Sequence, residues 1–450
     1  MKDGNFLKAN NARSLWHPMT SPADSLANAP TIVTGARGVR ISDIDGHEVV
    51  DGVGGLWNVN LGYSCQPVKD AIAGQLEALP YYSIFRGTSN DKVIELAEEL
   101  RDFFAPDGLT RAFFTSGGSD SVETALRLAR QYHKIRGQAG RTKFLSLKKG
   151  YHGTHFGGAS VNGNANFRTA YEPLLAGCHH IAAPYTYRNP FDESDPAKLA
   201  GLILAQIEDE IAFQSADTIA AFIMEPILGA GGVIPPHESF MPGVEAICRK
   251  HGILLIADEV ITAFGRTGAW SGSRLWGVKP DFMCTAKAIT NGYFPFGALM
   301  ISEAVAEVFE KDESGKAAIG HGYTYSGHPV GAAAALACLA ETKRLDVRVN
   351  AAARGKQLWE GVNALKDRHS LIGDVRGGHG LMLAIELVAD RATKKPADKP
   401  VPGKVQKAAY EAGAMVRVSG PNIILSPPLV LTEADAQVIL DALDAGFRAL

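Results

Sequence analysis

Three short stretches of the chain carry residue types that can do chemistry, and one of them holds a lysine. Lys287 lies in CTAKAITNGYFPFG (residues 284–297), between an apolar run and a Gly- and Pro-rich segment. A lysine among apolar neighbours loses hydration, which lowers the pKa of its ammonium group and makes the amine nucleophilic. Such lysines form Schiff bases with carbonyl compounds. The alternative is a lysine at a strand end whose stem packs on apolar atoms while its charge stays in water.

A Gly/Ser turn in TSGGSDSVET (residues 115–124) separates a strand pattern from a helical pattern. Free N–H groups at a helix start bind phosphate, and glycine lets the backbone approach closely. The turn is not a P-loop, because no Gly-Lys-Ser/Thr follows. Two Gly-x-Gly pairs elsewhere carry Trp57 and Leu383 where a dinucleotide fingerprint needs its third glycine. The turn is therefore either a phosphate cradle or an ordinary N-cap turn.

An acidic pair ends the apolar run LLIADEV (residues 254–260), where Asp258 and Glu259 follow Ala257. Ligands of α/β proteins bind at the sheet edge where the strands have their carboxyl ends. The alternative is a carboxylate that caps a helix or is satisfied by backbone donors. Together the three stretches match pyridoxal 5′-phosphate. Its phosphate needs N–H donors, its pyridine nitrogen needs a carboxylate, and its aldehyde needs an amine.

The elements that must position these groups alternate between strands and helices through the middle of the chain. A helix is predicted over residues 241–252, ended by Gly252, and another follows the Gly/Ser turn with Val122, Ala125, Ala129 and Tyr132 on one face. Further strands are predicted at residues 143–147, 219–226, 252–259 and 281–286. Continuous apolar strands between helices predict an α/β fold with a mostly parallel sheet covered on both faces.

Beyond about residue 340 the pattern changes to a smaller α+β unit. Strands are predicted within residues 381–388 and 423–430, each preceded by a helix. The polar stretch between them, residues 389–404, is rich in Lys and Pro and predicts an exposed loop.

Bulk composition excludes several classes of protein. The 450 residues are 46% hydrophobic and 21% charged, which is typical of soluble globular proteins of two or three domains. A net charge of −3 gives no reason to expect nucleic acid or an anionic membrane as a partner. Five cysteines without a CxxC pair favour a reducing compartment. No signal-like apolar core is present near residue 1, and the apolar run 332–340 is too short for a bilayer, so we expect a cytoplasmic protein.

The chain from about residue 15 to its C-terminus resembles the class III aminotransferases, which are pyridoxal-phosphate enzymes of fold type I. The resemblance rests on GLWNVNLGY (55–63), FFTSGGSDSVETALRLAR (113–130), GYHGTHFGGAS (150–160), EPILGAGGVIPP (225–236), LLIADEVITAFGRTG (254–268), CTAKAITNGYFPFGA (284–298) and HGYTYSGHPVGAAAA (321–335). One departure is the phosphate turn, usually Ser-Gly-Ser in the family, where Gly117 removes a hydroxyl contact. The resemblance implies a large cofactor-binding domain (61–335), a small C-terminal domain (336–450) and an N-terminal segment (1–60) that packs with the small domain.

The resemblance also implies roles for individual residues. Lys287 resembles the Schiff-base lysine, which also moves the proton between the substrate carbon and the cofactor, and Asp258 resembles the partner of the pyridine nitrogen. Glu225 supports either a cofactor oxygen or the surroundings of Asp258. Further cofactor contacts are expected from Gly118, Ser119, Tyr151, His152, Val260 and, from a second subunit, Thr324. Val260 and Tyr151 would cover the two ring faces, and His152 could equally be structural; no metal site is expected. A second-subunit contact implies a homodimer, with a tetramer left open.

Within the family, the sequence resembles the amine:pyruvate or ω-amino-acid branch. The pocket for the amine stem is expected from Met19, Trp57, Tyr82 and Phe85. Trp57 and Phe85 also fit a plain hydrophobic core. Arg417 resembles a mobile arginine that pairs with a substrate carboxylate and swings away for an uncharged amine. The alternative for Arg417 is an exposed arginine in a strand pair.

The implied activity is transfer of an amino group from an amine or ω-amino acid, such as β-alanine, putrescine or taurine, to pyruvate. Alanine would form by a ping-pong mechanism. A different pyridoxal-phosphate reaction on the same scaffold is the main alternative: an aminomutase, racemase, decarboxylase or lyase. A nicotinamide-dependent dehydrogenase is disfavoured by the incomplete glycine fingerprint. A non-catalytic protein that kept the fold is disfavoured by the presence of Lys287 and Asp258.

Overall fold

The computed structural model describes residues 3–450, so the first two residues of the predicted N-terminal segment lie outside the described residues. The helices are α1 (Gly4–Asn10), α2 (Pro22–Ala27), α3 (Gly54–Trp57), α4 (Gln66–Ala78), α5 (Asp91–Phe104), α6 (Gly118–Ile135), α7 (Phe156–Val161), α8 (Pro196–Gln214), α9 (Phe240–His251), α10 (Gly272–Trp276), α11 (Glu303–Glu310), α12 (Pro329–Arg344), α13 (Val347–Arg368), α14 (Pro400–Glu411) and α15 (Glu433–Arg448). The strands are β1 (Val33–Arg37), β2 (Arg40–Asp43), β3 (Glu48–Asp51), β4 (Leu109–Thr115), β5 (Lys143–Leu147), β6 (Cys178–Ile181), β7 (Ile219–Met224), β8 (Leu254–Asp258), β9 (Phe282–Thr285), β10 (Gly297–Ser302), β11 (Ile372–Arg376), β12 (Leu383–Asp390), β13 (Lys395–Pro396), β14 (Ala414–Met415), β15 (Arg417–Ser419) and β16 (Asn422–Leu425).

A seven-stranded sheet in the order β4-β10-β9-β8-β7-β5-β6 forms the centre of the molecule. Its strands from β9 to β6 are parallel, which confirms the predicted mostly parallel sheet. β10 was not predicted, and it runs antiparallel to both β9 and β4. The connection from β9 to β10, residues 286–296, is too short for the crossover that a parallel neighbour needs, so the chain returns antiparallel.

Helices cover both faces of this sheet, as the apolar strands predicted. The predicted face of α6, with Val122, Ala125, Ala129 and Tyr132, packs on the sheet in one buried cluster. α8 and α9 pack on the other face in a second cluster. α9 ends at Gly252 with φ 64°, the left-handed conformation that glycine adopts without a steric penalty, which confirms that helix end.

The direction of the strands brings the three chemical stretches to one edge. β8 and β9 are parallel neighbours, so Asp258 and the segment after Thr285 lie at the same edge of the sheet. β4 is antiparallel to β10, which is antiparallel to β9, so β4 also ends at that edge. The Gly/Ser turn, the acidic pair and Lys287 therefore converge although they are far apart in sequence.

The C-terminal part contains a separate antiparallel sheet in the order β11-β12-β16-β15, and the predicted strands within 381–388 and 423–430 correspond to β12 and β16. β14 pairs with β3, so the chain near residue 50 shares a sheet with the chain near residue 414. The predicted loop at 389–404 is wrong in part: β13 pairs with β12, and α14 begins at Pro400 because proline is well tolerated in a first helical turn. The predicted boundary at residue 335 falls inside α12, and the domain division stays a prediction.

Among the helices of residues 3–450, none has both the length and the apolar character that crossing a bilayer requires.

Candidate active site

A cavity of about 610 Å³ lies at the sheet edge where the three stretches converge. Its walls come from the central sheet, from the N-terminal segment and from the C-terminal sheet. The predicted site residues that line it are Met19, Trp57, Gly118, Ser119, Tyr151, His152, Glu225, Asp258, Val260, Lys287 and Arg417. The fold therefore gathers residues from across the chain into one site.

Lys287 lies just after β9, at the start of a short 3₁₀ turn, with a positive φ of 49°. It lines the cavity rather than the outer surface of the protein. Burial lowers the pKa of Lys287 to about 8; the carboxylates of Asp258 and Glu225 act in the opposite direction, and Arg417 lowers the pKa further. Its amine is consequently far more available as a neutral nucleophile or base than that of an ordinary lysine.

Asp258 ends β8 and is 4% exposed. Its Oδ2 lies 2.8 Å from His152 Nδ1, and its Oδ1 accepts a hydrogen bond from the backbone N–H of Val260 at 3.2 Å. Because a carboxylate only accepts, Nδ1 of His152 carries the proton that it donates to Asp258. His152 therefore orients this carboxylate at the cavity wall, and His152 Nε2 is buried without a hydrogen-bond partner among the described residues.

The two members of the acidic pair separate in the fold. Glu259 accepts hydrogen bonds from the backbone N–H groups of Gly272 (2.8 Å) and Ser273 (2.6 Å), at the start of α10. Thr262 Oγ1 also donates to it at 2.5 Å. The capping alternative thus describes Glu259, whereas Asp258 lines the cavity. Neighbouring residues at a strand end point in opposite directions, which separates their roles.

The Gly/Ser turn leads from β4 into α6. A Cβ atom on Gly118 would lie 2.9 Å from Val260 Cγ1, so glycine permits the close approach of the helix start to the segment that follows β8. Ser119 Oγ accepts a hydrogen bond from the backbone N–H of Thr154 at 3.2 Å, which ties the helix start to the next loop. The first N–H groups of α6 have no intrahelical acceptor and can hold an anion in the cavity.

Tyr151 and Glu225 form another part of the wall. The backbone N–H of Tyr151 donates to Glu225 Oε1 at 2.9 Å, and that of Gly229 donates to Oε2 at 2.8 Å. Burial raises the pKa of Glu225 to about 7, with His152 opposing this shift. Glu225 therefore holds the loops of Tyr151 and Gly229 together beside Asp258.

The residues predicted to bind the substrate fall into two groups. The first group, Met19, Trp57 and Arg417, lines the cavity. Trp57 is 4% exposed and packs with Ile261 and Ile424, so it serves the hydrophobic core as well as the cavity wall. Met19 is 63% exposed and lines the same cavity. Arg417 begins β15, and burial lowers its pKa. No carboxylate of residues 3–450 lies within 4.0 Å of its guanidinium group, which leaves it available to a ligand.

The second group, Tyr82, Phe85 and Thr324, does not line the cavity of its own chain. Tyr82 is 54% and Phe85 is 47% exposed, so the core alternative for Phe85 does not hold within one chain. Tyr81 Oη donates to the backbone oxygen of Thr324 at 2.7 Å, which joins the two exposed segments into one patch. The three residues do not reach the cavity of their own chain, and their roles stay predictions.

Sequence reasoning missed three phenylalanines that line the cavity. Phe294 and Phe296 lie in the stretch that carries Lys287, so their motif was a usable signal. Phe167 ends a short 3₁₀ turn (Ala165–Phe167), and its ring packs edge-on against Tyr151 with centroids 5.0 Å apart. No local pattern marks Phe167, because its position depends on how a loop folds back over the sheet edge.

The sequence matches the family model described as aminotransferase class-III over residues 22–447, and the chain belongs to this family of pyridoxal-phosphate enzymes. An amine transaminase from an uncultivated Pseudomonas species, solved in its cofactor-bound form, is 48% identical with a TM-score of 0.95 and covers 97% of this chain and 98% of its own. A putrescine–pyruvate aminotransferase of Pseudomonas aeruginosa is 38% identical over 89% of this chain and 86% of that protein. A diaminobutyrate–2-oxoglutarate transaminase of Halomonas elongata is 36% identical over 91% of this chain and 88% of that protein. The chain is thus a class III aminotransferase with the fold of the amine transaminases.

The cavity fits pyridoxal phosphate. Gly118 and Ser119 begin α6 at the cavity wall, where a helix start leaves N–H groups without an intrahelical acceptor. An oriented carboxylate and a lysine of lowered pKa lie on the same cavity. Donors for a phosphate, an acceptor for a ring N–H and an amine for an aldehyde are all present.

Proposed function

We propose that this aminotransferase moves an amino group from an amine or ω-amino acid, such as β-alanine, putrescine or taurine, to pyruvate, which becomes alanine. The observation that carries the proposal is Arg417, which lines the same cavity as Lys287 and whose guanidinium group has no carboxylate partner within 4.0 Å among residues 3–450. A keto acid brings the missing carboxylate, which a guanidinium binds through two parallel hydrogen bonds. The similarity to a putrescine–pyruvate aminotransferase supports the same choice of acceptor.

Lys287 is proposed as the group that moves the proton. Its Nζ takes a proton from the substrate carbon that bears the amino group, and it returns a proton in the opposite half of the reaction. A pKa of about 8 suits both directions, because a base works best when its pKa lies near the working pH. Tyr151 and Val260 both line the cavity, and they are proposed to cover the two faces of the cofactor ring.

Four other residues are proposed to hold the cofactor. Asp258, oriented by His152, would pair with the protonated ring nitrogen, and the N–H groups of Gly118 and Ser119 would hold the phosphate. When bound, pyridoxal phosphate supplies an electron sink and carries the amino group between the two half-reactions.

A homodimer is proposed to complete the site, with a tetramer left open. The exposed patch of Tyr82, Phe85 and Thr324 does not line the cavity of its own chain, and in the proposed dimer it would border the neighbouring cavity. Thr324 would then reach the phosphate from the second subunit.

The test combines a donor panel with an arginine variant. Purified enzyme is given β-alanine, putrescine, taurine and phenylethylamine with either pyruvate or 2-oxoglutarate, and alanine or glutamate is measured. We expect alanine with pyruvate, whereas a racemase, lyase or decarboxylase would not need an acceptor. Arg417→Ala should lower kcat/KM for pyruvate and β-alanine by about 10- to 100-fold, since hydrogen bonds to charged groups contribute about 1.5–3 kcal/mol.

The half-reaction with phenylethylamine, which has no carboxylate, should change by no more than about threefold in the same variant. Arg101→Ala is the control, because Arg101 is a surface residue paired with Glu98 at 2.6 Å. Equal losses for both classes of donor would remove Arg417 from its proposed role. Glutamate formation without alanine formation would exclude pyruvate as the acceptor.

A further inference from the structure

A second cavity, of about 900 Å³, adjoins the active-site cavity. The two share wall residues: Met19, Phe167, Ala230 and Ser419. We name this second cavity the outer chamber; its remaining walls include Lys149, Asn166 and Asn422. The outer chamber therefore offers adjoining space for a substrate longer than the active-site cavity.

Lys149 gives the outer chamber its charge. No other Lys, Arg, Asp or Glu of residues 3–450 lines it. No carboxylate of residues 3–450 lies within 4.0 Å of Lys149 Nζ. This atom lies over the aromatic ring of Tyr185, 5.2 Å from the ring centroid. Burial lowers the pKa of Lys149, Glu386 opposes this shift, and Arg376 adds to it. Since Glu386 acts on Lys149 only from beyond 4.0 Å, a bound anion would supply a direct ion-pair partner.

The backbone at this position makes a lysine costly. Lys149 has φ 66°, a left-handed conformation that glycine and asparagine adopt more readily than lysine. The backbone of Lys149 packs closely against Gly231, because a Cβ atom at position 231 would lie only 2.4 Å from the carbonyl oxygen of Lys149. Asparagine would suit the backbone better, and what a lysine adds is a long cationic side chain.

Chain continuity relates Lys149 to the reacting groups. Lys149 lines the outer chamber and Tyr151 lines the active-site cavity. Because Lys149 and Tyr151 are two positions apart in the chain, their Cα atoms lie at most about 7 Å from each other. Arg417 lines the active-site cavity, Asn422 lines the outer chamber, and Ser419 lines both. The two cations therefore line adjoining cavities.

We propose that Lys149 recognises the distal carboxylate of long ω-amino acids, whose chains place that group beyond Arg417. This inference rests on the proposed function, because it assigns a substrate class to the same site. Short ω-amino acids and keto acids use Arg417, whereas longer ones place their carboxylate in the outer chamber beside Lys149. A terminal ammonium group is repelled there, so long diamines are poor substrates.

The experiment compares 8-aminooctanoate, octylamine and 1,8-diaminooctane, which share one chain length and differ in the distal group. The holoenzyme is mixed with each donor alone, and the loss of cofactor absorbance is followed, so that no keto acid is needed. Lys149→Asn should lower the ratio of the catalytic efficiency with 8-aminooctanoate to that with octylamine about tenfold, because one charge-assisted contact is lost. The change should appear in KM and not in the limiting rate. It should raise the efficiency for 1,8-diaminooctane.

Two further variants sharpen the test. Lys149→Arg keeps the charge and should retain most of the ratio. Lys148→Asn changes a neighbouring exposed lysine that does not line the chamber, and it should leave the ratio unchanged. An unchanged ratio in Lys149→Asn, or an equal effect from Lys148→Asn, would overturn the proposal.

Binding of octanoate to the holoenzyme, measured by calorimetry, provides a readout that needs no turnover. It should weaken about tenfold in Lys149→Asn. The donor panel with pyruvate tests the proposed function separately. If the wild-type enzyme converted none of the three eight-carbon donors, the octanoate titration would still decide the role of Lys149. Equal octanoate affinity in the wild type and Lys149→Asn would exclude Lys149 as the anion site.

Discussion

The pKa of Lys287 gives the sharpest test of the electrostatics in the active site. Burial lowers this pKa from 10.5 to about 8. At pH 7 about one lysine in ten would then be neutral, compared with about one in three thousand for an ordinary lysine. The apoprotein should therefore show an amine at position 287 whose reactivity at pH 7 exceeds that of a surface lysine by about two orders of magnitude, before steric differences.

Competitive trace acetylation of the apoprotein between pH 6 and 11, with mass spectrometry of the peptide that carries Lys287, measures this reactivity. Lys407 is 79% exposed and provides the reference rate in the same sample. The rate at Lys287 should rise about tenfold per pH unit below pH 8 and level off above it, because only the neutral amine reacts.

Two variants should move the midpoint in opposite directions. Arg417→Ala removes a cation that lowers the pKa of Lys287, so the midpoint should rise. Asp258→Asn removes a carboxylate that raises this pKa, so the midpoint should fall. A wild-type midpoint near that of Lys407, or shifts of the same sign in the two variants, would refute this account of the site.

Two further predictions concern the stability of the protein and its affinity for the cofactor. Lys287→Met should raise the free energy of unfolding of the apoprotein by up to about 3 kcal/mol below pH 8. This gain should fade as the pH rises from about 8 to 10.5, because the penalty is the cost of burying a protonated lysine and the folded protein releases that proton in this range. Urea unfolding at several pH values measures the gain, and a pH-independent difference would contradict it. Gly118→Ala should weaken pyridoxal phosphate binding by about 1–3 kcal/mol, measured by titration of the apoprotein, because its Cβ would lie 2.9 Å from Val260 Cγ1. Gly74→Ala, with nothing within 4 Å of its Cβ, is the control, and equal affinities in the two variants would contradict the packing argument.

The central fold could be predicted because its signals are local. β5, β7, β8 and β9 are short apolar runs between helical patterns, and each matches a predicted strand. β10 was missed because a Gly- and Pro-rich stretch hides its start. β3 was missed because its pairing with β14 joins residues 50 and 414, and no local pattern encodes a partner so distant in sequence.

The candidate site could be predicted wherever a chemical residue type stood in a recognisable motif. Gly118, Asp258 and Lys287 all came from motifs, and all line one cavity. Phe167 and Lys149 carry no such signal, because a loop phenylalanine and a loop lysine are ordinary residues until the chain folds them against a cavity.

The sequence by itself determined the chemistry of this protein: an amine, a carboxylate and a glycine turn at strand ends, in the order that a class III aminotransferase requires. Only the tertiary structure decided that Asp258 faces the cavity while Glu259 caps α10, that Arg417 and Lys149 have no carboxylate partner among residues 3–450, and that Lys287 has a pKa of about 8. The physical reason is that hydration, pairing and pKa depend on which groups lie nearby in space. Most of those neighbours are distant along the chain.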